Sequence, residues 1–175
     1  MTLRRPRRLP NVSYVGMQRY SLTLCTFQRH PWFTDASVVE HVRSLLLETA
    51  VAEKFGTPAF CFMPDHLHIL AEGTSPDSDL PHFMSSFKQR SGFWFSRQRH
   101  ERLWQDGFYD HILRDDETTL TVVRYILENP LRAKLVTSFL EYPYSGSDQY
   151  SLIELAEGVS EGLSPACLSK WESQG

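Results

Sequence analysis

Two apolar runs, TPAFCFM (57–63) and HLHILAE (66–72), are separated by Pro64 and Asp65 alone. Runs of this length bounded by turn residues read as strands, and Pro-Asp is the chemistry of a tight turn. A two-residue connection makes the pair an antiparallel hairpin. Side chains two apart on a strand share a face, so His66 and His68 project together while Leu67 and Ile69 project oppositely. The rest of the chain has to be arranged around this hairpin.

The flanking segments supply the remaining elements. RYSLTLCTF (19–27) alternates and reads as a strand. Asp35 or Thr34 can cap a helix from about Ala36 to Phe55, with Val38, Val39, Val42, Leu45 and Leu46 at helical spacing and Gly56 as its stop. Residues 73–79 form a loop, and 80–99 read as a second helix with Phe83, Phe87 and Trp94 among its apolar positions. LWQDGFYDHILR (103–114) is another strand region, bent at Gly107. Asp115 or Asp116 caps a third helix that ends near Asn129, because Pro130 disfavours helical geometry just before it. Residues 141–150 read as loop, and one more short helix can follow. The order β-α-β-β-α-β plus a helix is an α+β pattern. It matches the ferredoxin-like, split β-α-β arrangement: an antiparallel sheet with helices on one face.

Length bounds this to one domain: of 175 residues, 1–12 form a basic N-terminal arm, 13–146 the folded domain and 147–175 an acidic tail. No apolar run approaches the ~20 residues of a membrane span. The opening MTLRRPRRLP has no apolar stretch behind it, so no export signal is expected and the reading is cytoplasmic, with no membrane partner. Cys25, Cys61 and Cys167 are far apart and form no CxxC, which gives neither a disulfide framework nor a zinc knuckle; Cys25 and Cys61 read as core residues. The net charge of -3 by itself argues against a nucleic-acid partner. Its distribution points the other way. Arg4, Arg5, Arg7, Arg8, Arg19 and Arg29 lie in a first stretch without acids; Lys88, Arg90, Arg97, Arg99 and Arg102 cluster again; the end of the chain is acidic. Such segregation fits either one basic face or an ordinary solvated surface.

Chemistry is suggested at two places. Imidazoles at His66 and His68 can converge on one metal ion. A bare HxH among seven histidines equally fits two partly exposed strand residues. On the third helix, Thr118, Thr121, Tyr125 and Asn129 fall on one stripe, with Leu120, Val123 and Leu127 on the opposite, core-facing side. Tyr125 and Asn129, four apart, are neighbours. Taken alone, that is also an ordinary amphipathic helix.

FCFMPDHLHIL (60–70), SFKQRSG (86–92), LWQDGFYDHILRDDE (103–117) and YILENPLRAKLV (125–136) together resemble the HUH transposases with a single catalytic tyrosine. The resemblance covers roughly residues 12–146 in the expected order, far more specific than any one motif. Insertion-sequence members carry Gln four residues after the tyrosine. Here Asn129 is followed by Pro130, the form of the branch associated with repetitive extragenic palindromes (REP). The resemblance implies a catalytic C-terminal helix with Tyr125 as nucleophile, and a divalent metal, Mg²⁺ or Mn²⁺, on His66, His68 and Asn129. It implies single-stranded DNA with a hairpin or palindrome as substrate, cleavage through a 5′-phosphotyrosine and rejoining by a 3′-hydroxyl. It also implies a monomer or a homodimer. A free phenol has a pKa of about 10, so its deprotonation at pH 7 costs roughly 4 kcal/mol, and a metal that polarises the phosphate eases the attack. Asp110 and His111 also match the family pattern. His111 can orient a ligand, contact DNA or serve the strand alone. Lys88, Arg90, Arg132, Lys134 and the arm residues Arg4, Arg5, Arg7 and Arg8 are candidate phosphate contacts.

Two other classes compete. A single-stranded nucleic-acid-binding module uses the same strand order, but this chain lacks the aromatic run such modules carry on the sheet. A zinc hydrolase could use His66, His68 and His111, with bound water as nucleophile and no covalent role for Tyr125.

Overall fold

The computed structural model describes residues 13–113 and 116–160. Strand β1 (Arg19–Cys25) is followed by helix α1 (Ala36–Ala52), strands β2 (Phe55–Met63) and β3 (His66–Gly73), and helix α2 (Leu80–Arg99). Then come β4 (Tyr109–Leu113), α3 (Asp116–Leu127), a single turn α4 (Asn129–Arg132), a two-residue strand β5 (Ser145–Gly146) and α5 (Leu152–Ser160). The strands form one antiparallel sheet in the order β4-β1-β3-β2-β5, the ferredoxin-like order with one added edge strand.

Pairing follows from the hairpin. Met63 lies opposite His66, so Pro64–Asp65 is the whole connection. The turn is anchored from outside: Phe33 N donates to Pro64 O at 3.0 Å, and Thr26 gives both its backbone N–H and its hydroxyl to Asp65 O. One face of the sheet carries Tyr20, Leu22, Leu24, Phe60, Phe62, Leu67 and Ile69, all buried under α1 and α2. The other face carries Ala59, Cys61, Met63 and Leu70, buried with Val123, Ile126 and Leu127 of α3. Strand β2 is therefore covered on both sides and buried throughout. That is why 57–63 reads as an unbroken apolar run rather than an alternating one.

α1 and α2 lie on one face, as the ferredoxin-like reading expects, and α3 takes the opposite one. Asp35 caps α1 through Ser37 N at 2.9 Å, and Asp79 caps α2 through His82 N. Three element boundaries differ from the expectations. α1 stops at Ala52 and the chain turns at Lys54, whose φ of 59° is left-handed; Gly56 already belongs to β2. The strand region 103–114 is broken rather than continuous: Trp104, its indole N–H on Ser91 Oγ, keeps a single antiparallel bridge to Thr26, the chain turns through Gly107 at a φ of 72°, and β4 proper is Tyr109–Leu113. The loop 141–150 hides β5, whose Ser145 and Gly146 pair with Cys61 and Phe60. The helical faces were also redistributed: Thr119 and Ile126 join Val123 and Leu127 in the core, while Leu120 is only half-buried.

α5 packs on the α3 side through buried Leu155, so residues 147–160 belong to the folded body. The 1–12 arm, the capping Asp115, the side chain of Thr118, Cys167 and the remainder of the expected tail lie outside the described residues. Within them, no helix is long and apolar enough to cross a membrane.

Gly73 fixes how the hairpin end meets the chain's entry. A Cβ there would stand 2.2 Å from the backbone oxygen of Gly16. Backbone cannot move aside as a flexible side chain would, so Gly73→Ala should cost roughly 2 kcal/mol or more, the range of overpacked sites. Urea unfolding measures it; a variant within 0.5 kcal/mol of the parent, an order-of-magnitude threshold for silent surface changes, would contradict this packing.

Candidate functional site

His66 and His68 emerge from β3 onto the α3 side of the sheet. Their rings meet edge to face, and the two Nε2 atoms converge at 3.0 Å. Each ring is held from behind through Nδ1. Thr23 Oγ1, directly opposite on β1, lies 3.0 Å from His68 Nδ1. Asp65 Oδ1 lies 2.6 Å from His66 Nδ1, and Arg29 pairs with the other Asp65 oxygen at 3.3 Å. Burial alone would raise the Asp65 carboxyl, but the hydrogen bond and charge of His66 and the Arg29 guanidinium hold it below its ordinary range. Burial pushes the His68 imidazole down to about 3, with His66, Arg132 and Arg29 adding to the effect. His68 is therefore a neutral ring, whose Nδ1–H can serve Thr23 while Nε2 keeps its lone pair.

Two ligand nitrogens at roughly 2.1 Å from one ion, at a right angle, stand about 3.0 Å apart. The convergent pair therefore suits a divalent cation. Holding the far ring nitrogen by a carboxylate or hydroxyl is how metal-binding histidines are oriented. Among the described residues no three His, Cys, Asp or Glu side chains gather as a metal group. His111 does not join His66 and His68, which removes the ligand set of the zinc-hydrolase reading.

α3 brings Tyr125 to this pair. Val123, Ile126 and Leu127 bury the helix's other side, leaving the Tyr125 ring 50% exposed and edge-on to His68, with centroids 5.7 Å apart. Arg132 stacks over the same ring, its Cζ 4.3 Å from the centroid, and donates to the Tyr125 carbonyl. Glu128 holds both Arg132 and Arg124. Asn129 lies one turn beyond Tyr125, but its Nδ2 donates to the carbonyls of Tyr125 at 2.9 Å and Ile126 at 3.4 Å. It makes no hydrogen bond to either histidine. Its amide group ends α3 and keeps Oδ1 as the atom with acceptor capacity.

The other candidates divide by face. His111 lies on the histidine side of β4, paired with Ser21. Asp110 pairs with Leu22 and lies on the α1–α2 side, away from the histidines. Lys88 and Arg90, candidate phosphate contacts, are engaged within the fold. Lys88 Nζ donates to the carbonyls of Gln105 and Gly107 at 2.7 and 2.6 Å, pinning α2 to the loop before β4. Arg90 reaches Thr49 and Glu48 of α1. A helix-helix spacer and a loop anchor look identical to a basic patch in one dimension. Lys134 sits in a left-handed backbone conformation, φ 59°, at the exposed end of α4. Arg4, Arg5, Arg7 and Arg8 are outside the described residues. The sequence reading missed Thr23, Asp65 and Arg29, although the adjacency of Asp65 to His66 was visible; Thr23 needed the strand register.

Comparison with known proteins bears on the family and the fold. The model of the family described as "Transposase IS200 like" matches residues 14–129. A Haemophilus influenzae protein named for the REP-associated tyrosine transposases is 28% identical over 118 residues, covering 61% of this chain and 67% of that protein. A solved structure described as a REP-associated tyrosine transposase bound to a REP hairpin superposes with a TM-score of 0.68 at 19% identity, covering 93% of this chain and 89% of the other. A Deinococcus radiodurans protein described as a transposase gives a TM-score of 0.50 at 24% identity, covering 68% of this chain and 95% of the other. These two structures share the fold.

Burial lowers the Lys88 ammonium from 10.5 to about 8. Between those values the unfolded chain holds a proton that the folded chain has released, so this residue makes stability rise with pH across that window. In Lys88→Met that increment should disappear, read from urea midpoints at pH 7.5, 9 and 10, conditions that span most of the window. An unchanged pH profile in the variant would show that Lys88 is not buried against those carbonyls.

Proposed function

This chain belongs to the IS200-like transposase family, and on that premise we propose that it cuts and rejoins single-stranded DNA beside a hairpin, with Tyr125 as the nucleophile. The observation that carries the reading is the convergence of three side chains from two elements: paired Nε2 atoms on β3 and the Tyr125 ring against His68. The phenol oxygen attacks a backbone phosphorus, the bond from phosphorus to O3′ breaks, and the proton passes from the phenol side to the departing 3′ oxygen. The products are a 5′-phosphotyrosine and a free 3′-hydroxyl, and the reverse attack rejoins strands. Covalent capture retains the ester's energy for that second step. A divalent cation, Mg²⁺ or Mn²⁺, held by His66, His68 and Oδ1 of Asn129, would supply polarisation of the phosphate.

The chain's own residues do the rest. Thr23 and Asp65 lock the ring orientations. The buried side of α3 fixes the tyrosine relative to them. Arg132 lies over the Tyr125 ring and carries a planar fork of donors suited to phosphate oxygens. The arm residues Arg4, Arg5, Arg7 and Arg8, together with Lys134, would add sequence-independent phosphate attraction. A REP-like hairpin is the substrate class suggested by the structural relative, and a monomer or homodimer acting within the cytoplasm is the expected setting.

The test is adduct formation on a hairpin oligonucleotide with single-stranded flanks, in Mn²⁺, on a denaturing gel. Tyr125→Phe keeps the ring and its packing but lacks the attacking oxygen, so it should fold, bind DNA and form no adduct. Tyr109→Phe should still form one. Adduct surviving Tyr125→Phe, or mass spectrometry placing the nucleotide on the peptide with Tyr109, would overturn the assignment. EDTA, and separately His66→Ala or His68→Ala, should reduce cleavage by 100-fold or more, on the order expected for lost electrostatic stabilisation. Full cleavage in the presence of chelator would remove the metal from the account.

A further inference from the structure

Only part of the histidine-bearing face is covered. From the end of β4, α3 passes over β3 to β2, burying Leu113, Leu70, Cys61 and Ala59. Apart from Leu113 at the end of β4, which α3 covers, the β1–β4 half of the same face has no element above it among the described residues. Strand register shows what that half presents. Thr23 stands between His68 on β3 and Tyr109 on β4, and Ser21 between Leu70 and His111. Neighbouring strands are about 4.8 Å apart, so Tyr109 stands about 10 Å along the sheet from His68, with Thr23 between them.

Tyr109 is 48% exposed and His111 is exposed as well. Among the described residues, neither side chain makes a hydrogen bond, an ion pair or a ring contact. Several other exposed rings are engaged: His41 stacks on Trp94, His30 lies tilted against Trp32, and His82 meets Glu53. Two unpartnered flat rings at positions i and i+2 of one strand, roughly 6.7 Å apart, are spaced at about twice the 3.4 Å stacking repeat of a nucleic-acid strand. A base fits between them, or each ring takes its own.

We propose that Tyr109 and His111 form a stacking track for unpaired bases of the single strand that continues away from the phosphate cut at His66, His68 and Tyr125. This rests on the proposed function and assigns the strand its path: across Thr23 and Ser21, toward the β4 edge. It also assigns Tyr109 a binding role rather than a covalent one. Because every base has a π-face, the track is tolerant of sequence and is lost with the bases, not with the phosphates.

The experiment measures affinity by fluorescence anisotropy in Mg²⁺, with the full chain carrying Tyr125→Phe so that the strand is not consumed. Three probes share one hairpin: blunt, with ten-nucleotide single-stranded extensions on both ends, and with abasic extensions of equal length. The base-bearing extensions should bind about ten-fold tighter than the blunt hairpin, the scale of one or two stacked bases. Abasic extensions should not match them. Tyr109→Ala combined with His111→Ala should abolish that ten-fold preference and leave blunt-hairpin affinity intact, while Tyr109→Phe with His111 unchanged should keep it. The track is overturned if the double alanine variant keeps the preference, if it weakens all probes equally, or if Tyr109→Phe behaves like the alanine variant. It is overturned equally if abasic extensions bind as well as base-bearing ones. Failure of the parent chain to bind any hairpin probe while melting normally would instead overturn the proposed function, and the track with it.

Discussion

Strand register is the constraint on which the site depends. With Met63 opposite His66, the Pro64–Asp65 turn admits no extra residue. A slip of one residue in β3 would exchange the faces, sending Leu67 and Ile69 outward and both histidines into the apolar layer beneath α1 and α2. Burying two imidazoles there without partners would cost several kcal/mol, of the order assigned to unsatisfied polar groups. The aromatic core beneath α1 and α2 therefore holds the histidines in place without touching them. Thr26 and Phe33 reinforce the arrangement by bonding both turn carbonyls.

From that register the rest follows in order. Thr23 reaches His68 because β1 pairs with β3 at that position. Asp65 reaches His66 because the turn ends there. α3 returns over the same face because its apolar side needs Cys61, Met63 and Leu70, and its polar side then carries Tyr125 to the histidine pair. The polar neighbours of Tyr125 are helical ones: Asn129 closes the helix on the tyrosine's own carbonyl, and Arg132, two turns on, lies over its ring. The proposed nucleophile is thus set on a rigid element, and rigidity of this kind is what attack geometry requires.

Much of this was legible in one dimension because the signals are local. The hairpin, the shared face of His66 and His68, the span of α2 and the position of Tyr125 relative to Asn129 depend on periods of two and 3.6 residues. What was not legible depends on tertiary partners. Ser145–Gly146 is a strand only because β2 offers an edge, and no propensity marks two residues. Trp104 sits in a strand-like run but keeps only one bridge, to Thr26, while its ring fills the cleft between Phe33 and Phe87. Lys88 and Arg90 carry the charge expected of a DNA contact, and the fold also engages them with Gln105, Gly107, Thr49 and Glu48, partners that no local pattern announces. Composition counts charges; only packing shows which of them face outward. Asn129 is intermediate: its spacing from Tyr125 was readable, but the use of its amide protons to end α3 was not.

The central claim is that the paired Nε2 atoms form a divalent-cation site beside Tyr125. Titration of Mn²⁺ into the chain labelled with ¹⁵N at histidine tests it most directly, through paramagnetic broadening of the ring signals. The account predicts that His66 and His68 broaden first and together, saturating at one ion per chain, with Nε2 more affected than Nδ1, while His41, His82 and His111 stay sharp. Broadening that begins at His111 or His82, or that leaves His66 and His68 sharp at saturation, would contradict it.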